Sequence, residues 1–170
     1  MEEKGNIDSL ALRDLWEHHF WSFEKFLDAV RSLSDEEFGR DLGLSFNSVH
    51  GIVAHLIGAE LVWLKRVQDG ESLALVPGVN ELPDLASIEK AWERTRDGWQ
   101  QVLAAGDFER EIIYSNTKGQ TFRDPVWRVM THLVDHSAAY RGILIAALRL
   151  LGHTPPTSGV IFYVRQLRKL

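Results

Sequence analysis

Between Leu10 and Leu33 the inward-facing positions are Leu12, Leu15, Trp16, His19, Phe20, Phe23, Phe26, Leu27 and Val30, spaced by threes and fours as on one face of an amphipathic helix. Ser34 followed by Glu37 has capping-box spacing and predicts a short helical turn before the loop that carries Gly43. A second helix is expected from Asn47 or Ser48, either of which can cap it, to Asp69-Gly70. Its apolar residues, Val49, Ile52, Val53, Leu56, Trp63, Leu64 and Val67, cover more than one face, so this helix belongs deep in the fold. Pro77, Gly78 and Pro83 make Glu71 to Asp84 a long crossing loop. A third helix, about Ser87 to Leu103, turns Ile88, Ala91, Trp92, Trp99 and Val102 inward and ends before Gly106.

The periodicity changes between Glu109 and Asp124, where Ile112, Ile113 and Tyr114 precede Asn116, Thr117, Lys118 and Gly119; a short β-hairpin is expected there. Asp124-Pro125 then reads as a cap followed by proline at the first helical position, opening a fourth long helix that runs to Leu151 with Gly152 past its end. On this helix Val129, Leu133, His136, Tyr140, Ile143, Ala147 and Leu150 form a seam of alternating four- and three-residue steps, which makes His136 a core position. After Pro155 and Pro156, Gly159 to Leu170 is expected to form a short terminal helix. The pattern is all-α: four long helices, a long crossover loop, a short hairpin before helix four and a short C-terminal helix.

A chain of 170 residues without repeat or linker fits one domain, 1–170, that needs no staple to bury a core. With no cysteine, disulfides, thiolate ligands and a thiol nucleophile of its own are excluded. A net charge of −5 argues against nucleic acid, and Arg165, Arg168 and Lys169 read as a solvated helix end. No apolar run suits a membrane span, since the stretch from Gly142 to Leu151 is broken by Arg149. Met1, Glu2, Glu3 and Lys4 do not resemble a secretory leader, so a cytoplasmic location is expected.

The candidate chemistry lies in seven histidines. His132 and His136, one turn apart, can share a metal, and His55, set among apolar neighbours on helix two, can add a nitrogen from a second helix. Imidazoles alone do not name the metal. His18 and His19 read as surface and helix-packing residues, His50 as structural, and His153 as a cap on helix four. Glu60 and Asp135 are candidates to fix an imidazole tautomer from behind.

Two segments carry a resemblance. One is Ser48-Val49-His50-Gly51-Ile52-Val53-Ala54-His55-Leu56-Ile57-Gly58-Ala59-Glu60 with Trp63-Leu64. The other runs from His132-Leu133-Val134-Asp135-His136 through Tyr140-Arg141-Gly142 to Leu151-Gly152-His153-Thr154-Pro155-Pro156. The chain resembles the DinB/YfiT-like family of metalloenzymes over nearly its whole length. The resemblance implies a four-helix bundle, often a homodimer, with a divalent metal, zinc or nickel, held by one histidine of helix two and two of the last long helix. His55 and His136 match that pattern, whereas Tyr140 stands where the family has a histidine before Arg-Gly, and Ile143 where glutamine is usual. The third donor is then His132 or Tyr140, with His132 preferred because a neutral phenol of pKa about 10 is a weak ligand; the third possibility is a metal-free pair that only hydrogen-bonds.

A metal held by neutral imidazoles acidifies a water or thiol toward neutrality. The resemblance therefore implies a thiol S-transferase or hydrolase acting on a small molecule, with bacillithiol, mycothiol or glutathione as a cosubstrate the chain cannot replace. The rival is a non-catalytic, metal-free bundle that binds a small ligand or partner. Six tryptophans, Trp21 and Trp127 foremost, are candidates for a dimer interface.

Overall fold

The computed structural model describes residues 9–167 and is mostly helical, with six helices and one two-stranded antiparallel sheet among them. Helix α1 (Ser9–Arg31) buries Leu12, Trp16, Phe20, Phe23, Leu27 and Val30 along the stripe the spacing marks out. Each such side chain withdrawn from water is worth about 1.5–3 kcal/mol, which far outweighs the local propensity of the segment. In α2 (Asp35–Gly39) the capping box forms in full: Ser34 Oγ accepts from the Glu37 N–H at 3.3 Å, and Glu37 Oε2 accepts from the Ser34 N–H at 2.9 Å. Helix α3 (Val49–Gln68) is capped by Ser48, whose Oγ accepts from the Gly51 N–H at 3.1 Å, and α4 (Leu85–Ala105) is capped reciprocally by Asp84 and Ser87. Strands β1 (Glu111–Ser115) and β2 (Thr121–Pro125) form the hairpin, followed by α5 (Val126–Leu150) and α6 (Val160–Leu167).

Helix α3 packs against both α4 and α5, α1 against α4 and α5, and α6 lies on α1. The core they share is built around Trp16, Trp92 and Trp99 with Phe23, Phe26, Ile52 and Met130. Two glycines on α3 let loops come against the helix: a Cβ at Gly51 would run into the carbonyl oxygen of Phe46, and one at Gly58 into that of Pro77. Among the described residues no helix is long and apolar enough to cross a membrane. Trp21 lies under α6, its indole N–H donating to Gln166 Oε1 at 3.1 Å, and Trp127 is partly buried against the core.

Three expectations are corrected. Pro125 does not sit inside the fourth long helix but takes the cap position itself, extended at φ −70° and ψ 150° and without a side-chain cap; Asp124 ends the hairpin instead, its carboxylate accepting from the Tyr114 hydroxyl at 2.9 Å and pairing with Arg128. Of the expected seam on α5, Val129, Leu133 and Ala147 are buried, whereas His136, Tyr140 and Ile143 are half-buried and Leu150 is exposed; the buried face also takes in Val126, Met130, Ser137, Leu144 and Leu148. A helix packed against both α1 and α3 buries a broader face than a two-helix seam, and the His136–Tyr140 part of the seam lies at its margin. His153 does not cap α5 with its ring; Nε2 donates to Glu37 Oε1 at 3.0 Å. Arg168 and Lys169 of the expected basic end, and the last residues of the expected terminal helix, lie outside the described residues.

The Glu37 contacts give a pH prediction. The Ser34 N–H, then His153 and the Ser34 hydroxyl, hold the Glu37 carboxyl down to about 2. A carboxyl depressed in the folded state stabilises above its ordinary value of 4.5 and loses that contribution as pH falls from there toward about 2. Acid unfolding followed by circular dichroism should therefore begin at higher pH in wild type than in Glu37→Gln, once both curves are normalised to their stability at pH 6. Superimposable normalised curves would contradict this.

Candidate metal centre

His55 lies midway along α3 and His136 midway along α5, and the packing of these helices brings their Nε2 atoms to 3.3 Å. Tyr140, one turn beyond His136, closes the third side with its ring centroid 4.7 Å from that of His55 and 4.6 Å from that of His136. Phe46 stacks on the His55 ring at 4.0 Å and 17° and lies 5.7 Å from Tyr140. It comes from a loop in which Phe46 and Asn47 both take the left-handed conformation, at φ 61° and 63°. That strain is held by the hydrogen bonds Leu42 N–H to Asn47 O and Ser48 N–H to Phe46 O, both 2.7 Å. Sequence reasoning missed Phe46, because only Asn47 belongs to a residue type that tolerates the left-handed conformation and nothing marks the bulky Phe46 for it.

His132 is placed differently. It is exposed and packs against the edge of Trp63 at 5.6 Å, with its ring 5.8 Å from that of His136 and no hydrogen bond to the pair. Among the described residues no group of three His, Cys, Asp or Glu side chains stands ready to hold an ion. The donor chemistry fits an ion at two positions. Two nitrogens bound at ~2.0–2.1 Å to one tetrahedral ion lie about 3.3 Å apart, which is the separation found here. Burial, with the His55 and His132 imidazoles beside it, pushes His136 down to about 4, and burial lowers His55 as well, so both present neutral imidazole at neutral pH. Of the two residues read as third donors, Tyr140 has its ring 4.6 Å from that of His136 and His132 has its ring 5.8 Å from it.

The other histidines have structural partners. His50 Nε2 donates to the Leu82 carbonyl at 2.6 Å and its ring stacks on Phe38, fixing the crossing loop to α3. His18, expected at the surface, is buried and donates to the Ser158 carbonyl at 2.8 Å, tying the segment before α6 to α1. His19 is fully buried with Nε2 donating to Glu60 Oε1 at 2.7 Å. Glu60 thus holds His19 and not one of the candidate ligands, and Asp135 is exposed. Arg141 is buried on Ser137 Oγ at 2.9 Å and lowered to about 10 by that burial, so the arginine before Gly142 anchors the interior of α5.

This geometry joins a match over the chain. The model of the DinB family matches residues 1–167. The chain belongs to the DinB family. Protein DinB of Bacillus subtilis (strain 168) is 20% identical over 164 residues, covering 91% of this chain and 95% of that protein. Within this DinB-family chain, His55, His136 and Tyr140 come together between α3 and α5.

Proposed function

We propose that His55 and His136 hold a divalent ion, zinc or nickel, in a cytoplasmic metal-dependent enzyme of the DinB type. In this reading α1, α3, α4 and α5 are the four helices of the bundle, and the reaction transfers a low-molecular-weight thiol to a small molecule or hydrolyses it. The observation that supports it is the 3.3 Å approach of two neutral, half-buried imidazole nitrogens from different helices. When bound, such an ion supplies positive charge that acidifies a neighbouring thiol or water. Phe46 fixes the plane of the His55 ring, which leaves its Nε2 aimed at His136. Tyr140 can donate a phenolic oxygen to the site or hold a proton there, and His132 can reach in from its exposed position. The chain has no cysteine, so a nucleophilic thiol must come from outside.

Tyr140 supports the second reading, a metal-free bundle that binds a small ligand, because a phenol replaces the nitrogen donor of the family pattern. The two separate in one assay. Protein loaded with zinc or nickel is mixed with glutathione or bacillithiol and 1-chloro-2,4-dinitrobenzene, and conjugate formation is compared with that of His136→Ala. The enzyme reading expects a rate above background that disappears in the variant; equal rates, together with no hydrolysis of nitrophenyl esters, would favour the binding protein.

A homodimer is also proposed, on the exposed apolar residues Val160, Ile161, Phe162 and Leu167 of α6. Sedimentation should give twice the chain mass of 19.4 kDa, falling to one chain in Ile161→Asp/Phe162→Asp. A monomeric wild type would contradict it.

A further inference from the structure

From His136 a series of aromatic rings runs along the contact between α3 and α5 to the hairpin. His132 lies 5.8 Å from His136, Trp63 5.6 Å from His132, Tyr114 4.8 Å from Trp63 and Phe122 5.7 Å from Tyr114, centre to centre. The hairpin adds the last two because β1 packs on α3 and β2 on α5. Every ring of the series is exposed or half-buried. Single exposed rings are ordinary on a protein surface, whereas a contiguous series that ends at paired imidazoles marks a place for a ligand.

Packing accounts for part of the series. Arg66, 5% exposed, sets its guanidinium carbon 4.4 Å from the centre of Trp63 and 5.0 Å from that of Tyr114, and its Nη2 donates to the Ser115 carbonyl at 2.9 Å. Those contacts seat the hairpin on α3. They do not require Phe122, 42% exposed, or the exposed His132 on either side.

We propose that His132, Trp63, Tyr114 and Phe122 form the wall that selects the small molecule, and that the group they select is a planar aromatic ring, neutral or anionic. This rests on the reading under Proposed function that the centre at His55 and His136 handles a small molecule, and it applies to the enzyme and to the binding protein alike. A flat ring extends the series by the contacts its members already make, near-parallel at 24° between Tyr114 and Phe122 and edge-to-face at 69° and 68° on the two sides of Trp63. A saturated skeleton of the same size gains burial without these contacts. Organic cations are the other ligands that aromatic walls take, and Arg66 opposes them: its buried charge already engages Trp63 and Tyr114, while the hairpin carboxylates Glu111 and Asp124 pair with Arg123 and Arg128.

Three probes separate these classes: naphthalene-2-carboxylate, its fully hydrogenated decalin counterpart and 2-naphthyltrimethylammonium. Dissociation constants are measured by calorimetry on the full, metal-free chain, so that no ion contributes to binding. The naphthoate should bind about tenfold more tightly than either of the others. Its affinity should fall by about threefold or more in Phe122→Ala, in His132→Ala and in Trp63→Leu, and stay unchanged in Trp21→Phe, whose ring lies under α6. If Trp63→Leu does not fold, the two variants at exposed positions decide.

No binding of the naphthoate, or equal affinity for it and the decalin carboxylate, would overturn the proposal, as would binding that Phe122→Ala and His132→Ala both leave intact. Tighter binding of the trimethylammonium probe would overturn it in favour of a cation site. Selective naphthoate binding in a protein with no catalytic activity would uphold the wall and overturn the enzyme reading; an active enzyme without that selectivity would do the reverse.

Discussion

Replacing Glu60 with alanine should cost about 3–5 kcal/mol of stability, the range for breaking a buried ion-paired or charge-assisted contact by removing one partner. Three losses coincide. His19 Nε2–H, fully buried, is left without an acceptor. A cavity opens in the interior beside α1, and the surrounding helices can close it only in part. Arg141, buried and hydrogen-bonded to Ser137, loses the negative charge it feels. Urea unfolding should show a lower midpoint with an unchanged slope, and the melting temperature should fall by on the order of 10 °C. Glu60→Gln should lose far less, because an amide oxygen can still accept from His19. A Glu60→Ala midpoint within error of wild type would mean that the pair contributes nothing to the fold.

Gly51→Ala should be the more informative change in α3, costing about 1–3 kcal/mol as an overpacked site does. Its Cβ would meet the Phe46 carbonyl carbon and oxygen, backbone atoms that cannot rotate away. That carbonyl also accepts the Ser48 N–H that begins the helix cap, so the strained Phe46-Asn47 turn must move as a unit. Phe46 would then leave the face of His55, and the imidazole would gain freedom to turn. The expected signature is a moderate fall in stability together with loss of the ring-current shift on the His55 protons in the nuclear magnetic resonance spectrum. Gly58→Ala, which meets the Pro77 carbonyl instead, should destabilise by a similar amount and leave the His55 signals in place. If both variants spare His55, Phe46 does not hold that ring.

Much of this arrangement is legible in the chain because it is local. Helix α1 announces itself through the three- and four-residue steps from Leu12 to Val30, and Ser34 with Glu37 marks a cap whose partners are three residues apart. The hairpin follows from the break in helical period around Asn116 to Gly119, and His55 and His136 stand out as histidines on apolar helices. What is missed depends on partners far along the chain. A helical glutamate is ordinarily solvated, and the donor that buries Glu60 lies 41 residues away on α1. His18 reads as a surface residue until Ser158, 140 residues on, is brought against it. On α5 the heptad seam assumes one partner helix, whereas contact with two broadens the buried face and leaves His136 and Tyr140 half-buried at its margin.

The central claim is that His55 and His136 hold a divalent ion. Untagged protein re-equilibrated with zinc, nickel and manganese and then freed of unbound metal should carry close to one equivalent of zinc or nickel per chain by inductively coupled plasma mass spectrometry. His55→Ala/His136→Ala should carry almost none while keeping its helical circular dichroism. Metal content that is the same in the folded double variant, or absent from wild type after re-equilibration, would contradict the claim.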